Sequence, residues 1–322
     1  MFAVYASGIN RDDPLSCLSV GELPEPSTPD DWVTVEVRAA SLNHHDVWAL
    51  KGQALKAEQV PMILGTDAAG VTEDGREVII HAVVGDSEAR EGDETLDPSR
   101  SLLSERYPGT IAEHVRVPAH NLVDKPTELT FEEASCLPTA YLTAYKMIQA
   151  KSGTVPGDTI LVQGAGGGVS TALIVLGTAL GRRVWVTSRD AEKMEWALSI
   201  GADAVFESGT RLPGKVDAVM ETVGEATWAH SLRALRPGGT VVVSGATSGP
   251  NPPADLNRVF FLQLSIVGST MGSLAQLREV ADLMVSTGVR PVIDRVLPMT
   301  EARTAFAAMN EGDVRGKLVL TR

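Results

Sequence analysis

DTILVQGAGGGVSTALIVLGTALGRRVWVTSR, residues 158–189, is the stretch that decides the fold. The run DTILVQ is typical of a buried strand, the glycine-rich segment after it of a tight turn, and VSTALIVLGTALG of an apolar helix. Glycines there let backbone N–H groups approach a pyrophosphate, and the helix N-terminus adds a favourable partial charge. The pattern predicts a dinucleotide-binding βαβ unit; a structural glycine turn in another α/β protein is the alternative. The predicted cofactor-binding residues of this turn are Gly164, Ala165, Gly166, Gly167, Gly168 and Val169.

The end of the second strand predicts which dinucleotide is bound. NAD-specific sites have an acidic residue here for the adenosine ribose, whereas this chain has Ser188, then Arg189 and, one helical turn on, Lys193. A small polar residue beside two cations suits a 2′-phosphate, which favours NADP(H). Asp190 is expected to bind the first amides of the next helix. The alternative is that Arg189 and Lys193 are ordinary surface charges.

The chain as a whole divides into three parts. Residues 1–125 contain short β-like runs separated by Gly, Pro and Asp, which predicts an antiparallel β domain. Residues 126–290 alternate strand-like and helical patterns, which predicts an α/β domain with a doubly wound parallel sheet. Residues 291–322 add a strand, a helix and a final strand. The polar stretch 85–108 is expected to form a surface loop.

Composition disfavours several classes of protein. The net charge of −13 argues against a nucleic-acid partner, because an acidic surface repels phosphates. The two cysteines, Cys17 and Cys136, are too few for a disulfide scaffold and form no zinc-binding CxxC pattern. No run of about 18 apolar residues predicts a membrane helix. The start, MFAVYASGIN, lacks signal-peptide features, so we expect a cytoplasmic protein.

A set of motifs, in a fixed order and at characteristic spacings, carries a family resemblance. They are LNHHDVWALKG (42–52), ILGTDAAG (63–70), EEASCLPTAYLTAY (132–145), VQGAGGGVS (162–170), LSIGAD (198–203), LRPGGTVVVSG (235–245) and RGKLVLTR (315–322). Nearly the whole chain resembles a medium-chain dehydrogenase/reductase, specifically the zinc-free quinone oxidoreductase (zeta-crystallin-like) branch. The resemblance implies a GroES-like domain over 1–125, completed by 291–322, and a Rossmann NADP-binding domain over 126–290.

The resemblance also bears on the catalytic zinc of the family's alcohol dehydrogenases. Zinc-dependent relatives have a Cys where this chain has Asn43, a His-Glu pair at Thr66-Asp67, and a Cys or Asp at Thr139. Zinc prefers thiolate, imidazole or carboxylate, usually three from the protein at a catalytic site, and Asp67 alone does not supply them. The two adjacent histidines of the LNHHD motif point in different directions if they lie in a strand or loop. We therefore predict no metal site.

Without a metal, reduction of an electron-poor double bond is easier than oxidation of an alcohol. The zinc-free branch implies an NADPH-dependent reductase that transfers hydride to a quinone or an α,β-unsaturated carbonyl. Asn43 is the predicted donor to the acceptor oxygen. Asp46 is a second candidate, although binding local backbone amides is its simpler role. The other predicted catalytic residues are Trp48, a pocket wall where many relatives have Tyr, and Thr66 and Thr139, which line the former metal position.

More cofactor-binding residues are expected where strands of the Rossmann sheet end. Those after the fifth and sixth strands are Gly245, Ala246, Thr247, Gly268 and Ser269. Thr143 is a candidate contact to the nicotinamide carboxamide, with helix capping or a core hydroxyl as the alternative. Lys317 is a candidate contact to a cofactor phosphate, with a surface charge as the alternative. Phe260 and Phe261 face either the substrate cleft or the core.

Three other functions stay open at this point. One is a zinc-dependent alcohol dehydrogenase, which the residues at the ligand positions disfavour. Another is a non-catalytic NADPH-binding protein, and the third an enoyl-thioester reductase, for which the acidic chain offers no obvious basic patch. The run QLSIVGS (263–269) is expected at the sheet edge, where an unpaired apolar strand is a liability, so a homodimer is predicted.

Overall fold

The computed structural model describes residues 1–86 and 92–322, which divide into two compact units. Unit one consists of Met1–Leu142 and Met271–Arg322, and unit two of Thr143–Thr270. These limits differ from the predicted boundaries after residues 125 and 290. The physical reason lies in packing that the sequence pattern does not reveal: the helix at 274–287 contacts the turn at 137–141 and the strand at 122–124, all within unit one.

The strands and helices of the described residues are as follows. The strands are β1 (Phe2–Ala6), β2 (Leu18–Glu22), β3 (Val33–Ser41), β4 (Met62–Ile63), β5 (Asp67–Thr72), β6 (Glu77–Ile80), β7 (Val83–Val84), β8 (Ser101–Leu102), β9 (His114–Val117), β10 (Leu122–Asp124), β11 (Thr159–Gln163), β12 (Arg183–Ser188), β13 (Ala204–Glu207), β14 (Val216–Glu221), β15 (Leu235–Val243), β16 (Ser265–Gly268), β17 (Ile293–Pro298) and β18 (Lys317–Thr321). The α-helices are α1 (His44–Leu50), α2 (Phe131–Ser135), α3 (Leu142–Lys146), α4 (Gly168–Ala179), α5 (Ala191–Ser199), α6 (Glu225–Ala234), α7 (Leu256–Phe261), α8 (Leu274–Thr287) and α9 (Ala302–Glu311).

Unit one is built around a sheet in the order β10-β6-β5-β3-β18-β17, with β9 also paired to β3. A smaller sheet has the order β2-β1-β4. The last strand, β18, lies antiparallel to β3 and parallel to β17, so a segment far along the chain fills a position inside the sheet. The core packs apolar residues of both parts of the chain together, including Val35, Leu64, Phe306 and Leu318.

The predicted surface loop at 85–108 is only partly a loop. Residues 87–91 lie outside the described residues. Beyond them, Glu94–Leu96 forms a short 3-10 helix, β8 pairs with β7, and Leu103 is fully buried. Glu94 is buried as well, and its carboxylate accepts the backbone N–H of Leu274 at 2.6 Å. The described part of the stretch is therefore partly packed into unit one, while residues 98–100 are exposed as the surface-loop prediction expects.

Unit two is a parallel sheet in the order β13-β12-β11-β14-β15-β16. Numbered from β11, this is the order 3-2-1-4-5-6 of a dinucleotide-binding fold, whose direction reverses between β11 and β14. All residues of β11 are buried, as expected for a central parallel strand. The fold class predicted from the sequence is confirmed. None of the helices in residues 1–86 and 92–322 has the length and apolar character needed to cross a membrane.

Candidate active site and nucleotide site

The three neutral residues at the family's zinc-ligand positions meet in unit one. Asn43 precedes α1, Thr66 precedes β5, and Thr139 lies in the π-helical turn Leu137–Tyr141. Asn43 Nδ2 donates to Thr66 Oγ1 at 3.1 Å, and the hydroxyls of Thr66 and Thr139 are 3.0 Å apart. The sequence motifs thus identified side chains that lie together in space, although they are up to 96 positions apart (43 to 139).

Asp67 and Lys317 complete this group. Thr139 Oγ1 donates to Asp67 Oδ1 at 2.5 Å, and the Lys317 ammonium lies 3.3 Å from Asp67 Oδ2. The same ammonium donates to Asn43 Oδ1 at 2.7 Å. We call these five side chains, Asn43, Thr66, Asp67, Thr139 and Lys317, the polar ring, because their contacts return to the residue from which they start.

Lys317 is the residue whose position differs most from the prediction. It was expected at a cofactor phosphate or on the surface, but its side chain is 1% exposed and is bonded within unit one. β18 is a buried strand in the interior of the sheet, and it turns this side chain toward the end of β3. The sequence signal was weak but present: Lys317 stands beside the apolar run LVL, and a lysine in such a strand is buried only if it is paired.

Asp46 and Trp48 lie on α1 beside the polar ring. Asp46 is fully buried, and its two oxygens accept the backbone N–H groups of Asn43 at 2.8 Å and Gly65 at 3.0 Å. Burial raises the pKa of Asp46, although these bonds act against the shift. The contacts match the simpler of its two predicted roles. Trp48 is half-buried and meets the ring of His44 edge-on at 5.5 Å between centroids.

The polar ring does not fit a catalytic zinc. It offers a carboxamide, two hydroxyls and one carboxylate, and that carboxylate already faces Lys317. In the described residues no group of three or more His, Cys, Asp or Glu side chains is arranged to hold a metal ion. His45 is directed instead to Glu105, with Nε2 3.1 Å from Oε1. Burial raises the pKa of the nearby Cys136 thiol to about 12, so it is not available as a thiolate.

The glycine-rich turn of unit two lies between a buried strand and a helix, as its sequence pattern predicts. It follows β11 directly, and α4 begins at Gly168. Gly164 and Gly166 have φ values of 85° and 94°, a left-handed conformation that favours glycine. The backbone amides at the start of α4 are the groups that would hold a pyrophosphate.

The end of β12 also has the predicted arrangement. Ser188 is buried, and its Oγ accepts the backbone N–H of Asp190 at 3.1 Å. The carboxylate of Asp190 caps α5, accepting from the backbone N–H groups of Glu192 at 2.9 Å and Lys193 at 3.2 Å. Asp190 is thus occupied by the helix, as expected, while the Arg189 side chain is exposed. At the position where the coenzymes differ, the chain thus has a serine followed by an exposed arginine instead of the acidic residue of an NAD-specific site.

The structure also gives the positions of the remaining predicted cofactor residues. Gly245, Ala246 and Thr247 follow β15, Ser269 follows β16, and Gly268 ends it; all lie at the carboxyl edge of the sheet. The segment after β15 packs against the loop after β14, since Ser248 N donates to Val223 O at 2.7 Å. Thr143 is buried in α3. Phe260 and Phe261, on α7, are exposed within unit two rather than in its core.

Sequence reasoning missed a buried polar network below that edge. Gln163, at the end of β11, accepts from Thr187 at 2.6 Å and donates to Ser231 at 2.9 Å. Ser231 in turn donates to Glu221 at 2.6 Å, and Glu221 also accepts the backbone N–H groups of Val223 and Gly224. Through Glu221 the network holds the loop that follows β14, and through Gln163 it ties the end of β11 to β12 and α6. Its signal was a polar residue at the end of each of two mostly apolar strands, β11 and β14.

Comparisons with known proteins agree with this geometry. The family model Alcohol dehydrogenase GroES-like domain matches residues 29–127, and Zinc-binding dehydrogenase matches residues 200–320. The Schizosaccharomyces pombe zinc-type alcohol dehydrogenase-like protein C1773.06c is 30% identical, with 93% of each chain covered. The chain belongs to the medium-chain dehydrogenase/reductase superfamily. It is accordingly an oxidoreductase that uses a pyridine nucleotide.

Other proteins similar to this chain are described by several different activities. The crotonyl-CoA carboxylase/reductase of Cereibacter sphaeroides is 28% identical, covering 95% of this chain and 84% of the relative. The 2-methylene-furan-3-one reductase of Solanum lycopersicum is 29% identical over 92% of this chain and 73% of the relative. A crystal structure described as an NAD-dependent alcohol dehydrogenase is 33% identical, with full coverage of both chains and a TM-score of 0.90.

Proposed function

We propose that this protein is an NADPH-dependent reductase of the zinc-free quinone oxidoreductase branch, which transfers hydride to a quinone or an α,β-unsaturated carbonyl. The observation that carries the proposal is the polar ring. Amide and hydroxyl groups bonded to one another replace the thiolate and imidazole that a catalytic zinc needs. Without a Lewis acid, oxidation of an unactivated alcohol lacks the means to stabilise an alkoxide.

Reduction of a conjugated acceptor does not require a Lewis acid and can be supported by these residues. Bound NADPH supplies the hydride, and a proton from solvent completes the reduction. The protein has to hold the acceptor within ~3–3.5 Å of the hydride donor and to stabilise the developing oxyanion with N–H or O–H groups. Asn43 is the proposed donor. One of its two amide hydrogens bonds to Thr66, which leaves the other for the acceptor oxygen, and the residue is 8% exposed. Thr66 and Thr139 hold that amide, and Trp48 forms an apolar wall.

The coenzyme preference rests on Ser188 and Arg189. The serine leaves room for a 2′-phosphate and the exposed guanidinium can pair with it, whereas an NAD-specific site would have an acidic side chain here. One relative's description names NAD, so superfamily membership alone does not decide the preference. The remaining predicted contacts, from the glycine-rich turn, the segments after β15 and β16, and Thr143, would hold the pyrophosphate and nicotinamide.

The deciding experiment follows NADPH oxidation at 340 nm with three acceptors: a benzoquinone, a free cyclic enone and crotonyl-CoA. We expect turnover of the quinone or the enone, with NADPH preferred over NADH. Turnover of crotonyl-CoA alone would move the function to an enoyl-thioester reductase, a candidate favoured by the bacterial relative. Oxidation of a simple alcohol by zinc-loaded protein would support an alcohol dehydrogenase. Tight NADPH binding without turnover of any acceptor would support a non-catalytic binding protein.

Assembly is part of the proposal. β16 pairs only with β15 among the described strands, and Ile266 on it is 45% exposed. Leu256 and Phe261 on the preceding α7 are also exposed, so an apolar surface continues from the helix to the strand. Pairing of β16 with its copy in a second chain would cover this edge and form a homodimer. Light scattering of the pure protein tests this, with Ile266→Lys expected to give monomers.

A further inference from the structure

The Lys317 ammonium has a complete set of acceptors inside unit one. It lies 2.7 Å from Leu42 O, 2.7 Å from Asn43 Oδ1 and 3.3 Å from Asp67 Oδ2. An ammonium group has three N–H donors, so each has one partner. Asp67 is fully buried and also accepts from Ser41 at 3.0 Å. A buried cation and a buried carboxylate thus neutralise each other where the superfamily's zinc enzymes hold their ion.

Because a lysine ammonium only donates and a carboxylate only accepts, the hydrogen bonds of the polar ring run from Lys317 toward Asp67. Lys317 donates to Asn43 Oδ1, which turns Asn43 Nδ2 toward Thr66. Thr139 uses its single hydrogen on Asp67, so the Thr66 hydroxyl donates either to Thr139 Oγ1 at 3.0 Å or to Asp67 Oδ1 at 3.4 Å. Every side-chain hydrogen that the ring can donate then has an acceptor within it or beside it, except the second amide hydrogen of Asn43, which has no acceptor among the described residues. This N–H is the one donor that the ring leaves for a ligand.

We propose that Lys317 is a positioning residue that replaces the electrostatic role of the metal ion. Its charge compensates Asp67 and, through the carbonyl oxygen of Asn43, fixes and polarises the amide that meets the acceptor oxygen. Donors that are already oriented when charge develops stabilise it most, because no reorganisation is needed during the reaction. The part concerning the acceptor rests on the proposed function; the orientation of the Asn43 amide does not.

The test separates charge from folding with three variants. Lys317→Met removes the cation and leaves Asp67 buried without its counter-charge, so we expect a lower Tm and a kcat reduced about 10²-fold, with KM for NADPH unchanged. Lys317→Met combined with Asp67→Asn removes both charges; we expect Tm to recover but kcat to stay low. Lys317→Arg retains the charge and is expected to restore part of kcat. Recovery of kcat together with Tm in the double variant would overturn the proposal.

Lys125 provides a matched control. It is another buried lysine of unit one, donating to Leu129 O at 2.7 Å and lying 2.9 Å from Glu77 Oε2, on the side of the sheet formed by β6 and β10. Lys125→Met should lower Tm as Lys317→Met does, while leaving kcat unchanged. A comparable loss of kcat in Lys125→Met would show that kcat merely follows stability, which would also overturn the proposal.

Amide NMR tests the orientation without any acceptor. In ¹H–¹⁵N spectra the Asn43 side-chain NH₂ resonances should shift and broaden in the double variant, because the lysine that fixes the carboxamide is gone. They should keep their positions in Lys125→Met. Unshifted Asn43 resonances in the double variant would refute the role of Lys317 even if the wild-type enzyme reduces enones. A wild-type protein that reduces no acceptor, yet shows the shift, would refute the proposed function and leave the positioning role standing.

Discussion

The hydroxyl of Tyr141 accepts the backbone N–H of Val292 at 2.8 Å, so a side chain of the π-helical turn holds the residue that directly precedes β17. Tyr141 is fully buried, and burial raises its pKa well above the ordinary range, so it stays a neutral phenol. In the structure this hydroxyl is used for folding, two positions from Thr139 of the polar ring.

We predict that Tyr141→Phe lowers the free energy of unfolding by about 1–2 kcal/mol, because the Val292 N–H loses its acceptor in a partly buried position. Urea unfolding followed by tryptophan fluorescence measures this. KM for NADPH should not change. A loss of coenzyme affinity with unchanged stability would contradict this assignment and indicate that Tyr141 contacts the coenzyme instead.

Metal analysis should find the purified protein free of stoichiometric zinc. The carboxamide and hydroxyls at positions 43, 66 and 139 bind zinc weakly, and the cation of Lys317 repels it from Asp67. The measurement is elemental analysis after dialysis against a chelator, with a zinc-dependent alcohol dehydrogenase as the reference. One zinc per chain that resists the chelator would overturn the zinc-free assignment.

Arg189→Ala should reduce the preference for NADPH over NADH by about 10–100-fold, since a charge-assisted hydrogen bond contributes about 1.5–3 kcal/mol. Titration of each reduced coenzyme, followed by its fluorescence, measures the two affinities. Arg183→Ala is the matched control, because Arg183 is an exposed arginine at the opposite end of the same strand. An unchanged preference in Arg189→Ala would remove the argument for a 2′-phosphate site.

The buried pair of His81 and Glu94 predicts a pH-dependent contribution to stability. His81 Nε2 lies 2.7 Å from Glu94 Oε1. Burial alone would raise the pKa of Glu94, but the His81 side chain and backbone N–H groups, including that of Leu274, hold it below its ordinary value. A carboxylate with a lowered pKa stabilises the fold above its unfolded-state pKa, and the contribution is lost as pH falls through the folded-state pKa.

Glu94→Gln should therefore destabilise the protein by about 1–3 kcal/mol near neutral pH, and the difference from wild type should shrink in acid. Thermal unfolding from neutral pH to below pH 4 measures the difference. Glu279→Gln, at an exposed position on α8, serves as the control and should show no such trend. A difference that stayed constant into acid would contradict an ionised Glu94 as the cause.

Local sequence patterns predicted the parts of this structure that local physics determines. The strand, turn and helix around Gly164 need only glycines and apolar periodicity, and the cap of Asp190 needs only the next residues in the chain. The meeting of Asn43, Thr66 and Thr139 is a long-range feature, and it was foreseen because family motifs carry that information. Nothing in the periodicity of β18 determined that Lys317 would face Asp67, 250 positions away.

The limits of the two units differ from the domain boundaries predicted from the sequence for a related reason. Amphipathic helices near residues 131–141 and 274–287 have the same periodicity whichever sheet they cover. Their membership of unit one depends on tertiary contacts, including those of α8 with β10. The buried network of Gln163 and Glu221 was missed because each residue alone resembles an ordinary polar strand end.

The position of β18 between β3 and β17 has a consequence for synthesis on the ribosome. Unit two is one uninterrupted span, so it can acquire its native state while translation continues. The larger sheet has a gap at its interior until residues 317–321 leave the exit tunnel. During that interval the edge of β3 that β18 later covers is unpaired, so we expect the nascent chain to be more prone to wrong strand pairing than the folded protein.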